Sequence, residues 1–229
     1  MHRDSSEARR THPDRSDIPL DQVRDSYDAV ASEYAARISG ELANKPFDRE
    51  FLDRLADQLR GHGRAVEFGS GSGHVAAYLH VLGVDISGLD LSPAMVEQAG
   101  RHFPSVHFEV GDMLALPYPD MALAGAVLFY SIIHFSDAQL ERCFGELRRV
   151  LHPGGVAAIT FHIGDEQVHR DEWWGQQVSL ETRFLQPPAV MAQLRDAGLR
   201  VTEITERDPY APEVEYQSRR AYLTVRRPG

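Results

Sequence analysis

The sequence predicts an α/β chain, doubly wound, with helices on both faces of a mostly parallel sheet. Three observations predict it. Between residues 66 and about 163, short apolar strand-like runs alternate five times with helical runs. The first strand ends in a glycine-rich turn, Gly69-Ser70-Gly71-Ser72-Gly73, that opens directly into a helix. The second and third strands each finish near a carboxylate, Asp90 and Asp112.

Taken in order, residues 1–18 are polar and charged and read as a disordered tail. A single domain is expected over residues 19–229. Val23, Tyr27, Val30, Tyr34 and Ile38 recur at helical spacing. Phe47, Phe51, Leu55 and Leu59 repeat that pattern between Pro46 and the breakers Gly61 and Gly63. A strand ending at Phe68, the glycine turn and a helix over 75–82 come next. The second strand covers 84–91, and Ser92-Pro93 reads as an N-cap with proline at the first helical position. The third strand is 106–110 and the fourth 124–129. A helix from Asp137 presents Leu140, Phe144, Leu147 and Leu151 on one face, and the fifth strand is 156–161. Residues 164–186 are polar around Trp173-Trp174. Pro187-Pro188 then opens a helix closed by Gly198, and strand-like runs at 199–205 and 221–226 finish the chain.

Composition narrows the function. The 229 residues give a net charge of −10, which argues against a general nucleic-acid binder. The lone Cys143 rules out an internal disulfide and fits a reducing compartment. No apolar run is long enough for a membrane span, and the N-terminus lacks a secretory h-region. A cytoplasmic location is expected, without membrane association. Histidines number eleven, but no pair or Cys/His group has metal-site spacing, so no metal is expected.

The ligand is read from three signals in series. A dinucleotide fingerprint starting at Gly69 would need glycine at 74, where His74 stands. Asp90 follows Gly69 by 21 residues, where a carboxylate can accept both ribose hydroxyls. Asp112, just past the third strand, can accept from an adenine amino group while Met113 and Leu114 pack on the ring. An ordinary Gly-Asp turn is the alternative there. A pocket for adenosine with no phosphate to cradle points to S-adenosylmethionine (SAM) rather than NAD, and hence to methyl transfer.

On these residues the chain resembles the class I SAM-dependent methyltransferases, particularly the small-molecule subgroup. The matching pieces are Val66-Glu67-Phe68-Gly69-Ser70-Gly71-Ser72-Gly73, Gly88-Leu89-Asp90-Leu91-Ser92-Pro93-Ala94-Met95 and Gly111-Asp112-Met113. His134-Phe135 and the run from Leu147 to Gly155 follow at family-like spacing. The resemblance implies a seven-stranded Rossmann-like sheet with the last strand antiparallel. It implies that Gly69, Ser70 and Gly71 lie along the methionyl part of SAM, with Glu67 toward the amino group. Asp90 would hold the ribose and Asp112 the adenine, with Leu91, Met95 and Phe129 beside the cofactor. Residues 19–62 would form a helical cap bringing Tyr27 and Tyr34 near the methionyl carboxylate, and 164–188 a substrate-side insertion.

Methyl transfer from a sulfonium needs alignment in a dry site, and a base only where the nucleophile must lose a proton. His134, after the fourth strand, is the candidate catalytic base. His162 is a second choice. The family often has two adjacent histidines in this loop, and here the first is Ile133; Leu123-Ala124 replaces the usual acidic start of the fourth strand. Tyr130, His134, Trp173 and Trp174 are expected to face the substrate, and Arg170 or Arg183 could pair with an acidic one. The expected acceptor is a small molecule methylated on oxygen or nitrogen, by a monomer or homodimer. A nicotinamide-dependent oxidoreductase and a non-catalytic SAM-binding module are the alternatives.

Overall fold

The computed structural model describes residues 9–11 and 19–229. In chain order these form β1 (Arg9–Thr11), α1 (Leu20–Ile38), α2 (Pro46–Leu59), β2 (Ala65–Phe68), α3 (His74–Val81), β3 (Ile86–Asp90), α4 (Pro93–His102), β4 (Phe108–Val110) and β5 (Leu123–Phe129). They continue as α5 (Asp137–Val150), β6 (Leu151–His162), β7 (Gln167–Trp173), β8 (Gln176–Arg183), α6 (Pro187–Asp196), β9 (Arg200–Arg207) and β10 (Arg220–Arg226).

The main sheet has seven strands in the order β4-β3-β2-β5-β6-β10-β9. The pairs from β4 through β6 are parallel, and β10 is antiparallel to both neighbours. This is the predicted fold. Its central strands are buried along their whole length, as helices on both faces require. On one face Phe144, Leu147 and Leu194 of α5 and α6 pack on Leu128 and Ile159. On the other, Leu52, Leu55 and Leu79 of α2 and α3 pack on Val127 and Ala158. The strand order reverses at β2, which has β3 on one side and β5 on the other. In such sheets ligands bind beyond the carboxyl ends of the strands at that switch point.

Local signals fix the helix ends. Ser92 Oγ accepts from the Met95 amide at 3.0 Å with Pro93 in the first turn. Ser136 and Gln139 form a reciprocal capping box at the start of α5. The glycine turn is left-handed at Gly69, Gly71 and Gly73, with φ of 71°, 51° and 80°. A Cβ at Gly73 would sit 2.5 Å from the Phe108 ring, so only glycine lets β4 pack against the turn.

Two segments differ from expectation. Residues 164–186, read only as polar, contain the β7–β8 hairpin. Its turn is Trp174-Gly175, both with positive φ (52° and 81°), an unusual choice for a tight hairpin and hence a weak sequence signal. Within the stretch read as a disordered tail, Arg9–Thr11 is a strand paired antiparallel with β7, Arg9 opposite His169. The edge of β7 offers unpaired amides and carbonyls, and a short segment completes them whatever its side chains. The rest of residues 1–18 lies outside the described residues.

Candidate functional site

The site lies at the switch point, roofed by α1. Three consecutive residues of α1 tie it down. Ser26 accepts from the Ser179 amide of β8 at 3.0 Å and donates to the Ser179 carbonyl at 3.1 Å. Tyr27 reaches His134. Asp28 accepts from the Ala94 amide at the start of α4 at 3.0 Å. A buried cluster of Val30, Ala31 and Met95, joined by Tyr27, Tyr34, Trp173 and Trp174, fills the space beneath the roof.

Below α1 a first cavity is lined by Glu67, Gly69, Ser70, Gly71, Asp90, Leu91, Asp112, Met113 and Phe129 from the sheet end, and by Tyr27 and Tyr34 from the roof. Asp90 accepts from the Gly71 amide at 2.7 Å through Oδ2 and from the Ser92 amide at 2.9 Å through Oδ1. Each oxygen therefore keeps one lone pair for a ligand hydroxyl. Burial pushes this carboxyl up, while the Ser92, Gly71 and Leu91 amides oppose the shift. Asp112 Oδ1 accepts from the Leu114 amide at 2.8 Å, which locks the side chain in an Asx turn. Glu67 accepts from Ala76 at 2.8 Å, near the N-terminus of α3. Burial, reinforced by the Asp90 charge, raises its carboxyl well above the usual range.

The residues present fit an adenosyl amino-acid cofactor. Ser70 Oγ and Ser131 Oγ flank the glycine turn, both buried and without a hydrogen-bond partner among the described residues. A Cβ at Gly69 would sit 2.4 Å from Ser131 Cβ, so the turn is held tight against the loop after β5. At Gly71 the nearest atoms to an added Cβ are those of the Tyr34 ring, at 3.5 Å. Two carboxylates at fixed spacing, bare backbone and unmatched hydroxyls suit ribose, adenine and a methionyl chain.

A second cavity of about 340 Å³ adjoins the first, sharing Tyr27, Tyr34, Tyr130 and His134. His134 stands at this junction on the 3-10 turn Ile132–His134. Its Nδ1 lies 2.6 Å from the Glu181 carbonyl and its Nε2 2.8 Å from the Tyr27 hydroxyl. A carbonyl only accepts, so Nδ1 bears the proton and Nε2 accepts from Tyr27. Burial lowers the imidazole to about 4, partly offset by the Glu181 carbonyl, so it is neutral at physiological pH. Tyr130 has φ of 56°, a conformation rare for a bulky residue, and its hydroxyl meets that of Tyr222 at 3.0 Å. Tyr222 in turn donates to the fully buried Asp48 at 2.7 Å.

Some predicted site residues fall elsewhere. Met95 is fully buried under α1, packed with Val30 and Ala31, rather than in the cavity wall. Leu114 packs against the α5-side core; its contribution is the amide that holds Asp112. Trp173 lines the second cavity, whereas Trp174 stacks on it at 4.6 Å under Arg37 and lines neither. Arg183 pairs with Asp137 outside the cavities; Arg170 does line the second. Sequence reasoning missed Glu41, Lys45, Glu215 and Arg220, which also line it. Lys45 as the chain's only lysine was the one visible signal.

Residues 65–155 match the family described as Methyltransferase domain. Over that segment the chain carries a SAM-dependent methyltransferase domain. This methyltransferase is 29% identical over 172 residues to a malonyl-[acyl-carrier protein] O-methyltransferase of Serratia marcescens, covering 74% of this chain and 66% of that one. It is 25% identical over 219 residues to the O-methyltransferase cnsE of Penicillium expansum, covering 86% and 76%. The chain thus spans 66% and 76% of those relatives' lengths. Among solved structures, the DhpI–SAH complex superposes with a TM-score of 0.71 at 24% identity, covering 91% of this chain and 97% of that one. No helix among the described residues is long and apolar enough to cross a membrane, and no group of three or more His, Cys, Asp or Glu residues there could hold a metal ion.

Proposed function

We propose that this methyltransferase transfers the methyl group of SAM to an oxygen or nitrogen of a small-molecule acceptor, with a hydroxyl oxygen favoured. The observation behind it is the His134 Nε2 lone pair, on a neutral imidazole of fixed tautomer, at the junction of the two cavities. Bound SAM would supply a methyl carbon already activated by its sulfonium. Asp90, Asp112 and Glu67 would hold it, and the glycine turn would lie along its methionyl chain. Tyr27 and Tyr34 would close the site from above and exclude water. His134 Nε2 would accept the acceptor proton once that hydroxyl replaces Tyr27 on the lone pair, leaving imidazolium with its Nδ1–H on the Glu181 carbonyl. The O-methyltransferase names of two relatives support oxygen. A second cavity of small-ligand size supports a small acceptor rather than a nucleic acid. The net charge of −10 and the buried free thiol of Cys143 agree with cytoplasmic work on such a molecule.

Calorimetric titration with SAM, S-adenosylhomocysteine and NAD tests the reading. Micromolar binding of the adenosyl ligands, none of NAD, and transfer of labelled methyl to an acceptor are expected. Adenosyl binding with no transfer to any hydroxyl or amine acceptor would leave a binding module and overturn the catalytic proposal.

A further inference from the structure

Resting on the methyl-transfer reading, the second cavity also specifies the chemistry of its occupant. One wall is a run of rings. Tyr130 and His162 have centroids 5.0 Å apart and tilted by 34°, and His162 and Phe184 are 5.5 Å apart at 30°. Tyr216 meets both His162 and Phe184 at 6.0 Å. These tilted and edge-on rings line the wall with polarisable, apolar surface that suits another aromatic ring.

The cavity is also lined by two buried cations. The Lys45 ammonium is 6% exposed, 2.6 Å from Glu41 and 3.9 Å from Glu215. An ammonium has three donors, so these two carboxylates leave capacity for a further acceptor. The Arg220 guanidinium is 3% exposed and pairs with Glu215 at 3.1 Å and with the Ser218 and Tyr216 carbonyls. Its Nε–H is buried and has no partner among the described residues. Buried donors short of acceptors are costly unless a ligand supplies one. The local field agrees: His162 is held down to about 3 by burial and then by the Arg220 and Lys45 charges, ahead of the opposing Glu215 and Glu41.

We propose that the acceptor is a planar aromatic hydroxy acid, its ring against the Tyr130–His162–Phe184 wall, its hydroxyl at His134 and its carboxylate toward Lys45 and Arg220.

The test uses the full chain saturated with S-adenosylhomocysteine. Calorimetry compares 4-hydroxycinnamate, its methyl ester and 6-hydroxyhexanoate. The aromatic acid should bind about tenfold or more tighter than either, the scale of hydrogen bonds to a charged group. Lys45→Met should shrink the acid-over-ester ratio to about threefold or less, with melting temperature checked alongside. Equal affinity for acid and ester removes the carboxylate site. Equal affinity for 6-hydroxyhexanoate removes the aromatic wall. Failure of both aromatic probes to bind a chain that does bind S-adenosylhomocysteine overturns the inference alone. Absence of S-adenosylhomocysteine binding overturns the methyl-transfer reading and this inference with it. The wild-type comparison stands even where the variant does not fold.

Discussion

In the cofactor half of the pocket, polar contacts come from one run of chain: Glu67, the glycine turn, Asp90 and Asp112, held by the amides of Gly71, Ala76, Ser92 and Leu114. In the acceptor half they come from segments far apart in sequence. His134 is fixed by Tyr27, 107 residues earlier, and by Glu181, 47 residues later. Asp48 and Tyr222 are 174 residues apart. The first half is a local construction that the parallel sheet makes rigid. The second exists only when α1, the β7–β8 hairpin and the β9–β10 connection have all docked on the sheet.

That contrast can be broken or sharpened by experiment. The largest effect is expected at His134. His134→Ala should lower the single-turnover rate at saturating cofactor by roughly 10²–10⁴-fold. A loss below tenfold would make it a structural histidine. Asp90→Ala should weaken SAM binding by about 1.5–3 kcal/mol while the acceptor half stays folded. Unaltered affinity in a folded variant would remove Asp90 from the ribose role. Acid stability comes next. The folded-state pKa of His134, about 4, lies below its ordinary 6.5, so between those values the unfolded chain binds more protons. Its contribution to stability is full above about pH 6.5 and is lost as pH falls toward 4. His134→Gln should therefore lose less Tm on acidification than wild type, by about 4 °C or more. Parallel Tm curves for the two proteins would contradict this. Smallest is Ser26→Ala, which frees α1 from β8 at a cost of about 1 kcal/mol, or about 2–4 °C in Tm. No change would mean the hairpin holds α1 by packing alone.

The same contrast explains what the sequence disclosed. The order of the strands, the glycine turn, Asp90 and the Ser92 cap are legible because each rests on spacing within about 25 residues of chain. Met95 and Leu114, expected beside the cofactor, do not line the cavity, and motif proximity does not say which way a side chain turns. Lys45, Glu215 and Arg220 carry no local pattern; buried pairing between distant segments brings them together. The β7–β8 hairpin escaped notice because its turn is Trp-Gly rather than Asn-Gly, and its alternation runs through charged residues.

Ser26, Tyr27 and Asp28 hold α1 to the hairpin, to His134 and to α4. Adjacent positions on a helix point about 100° apart, so one turn grips three directions at once. If spent cofactor leaves past α1, that grip must be released and the acceptor side loosened with it; the expected kinetic trace is then a rapid first round of product followed by a slower steady state.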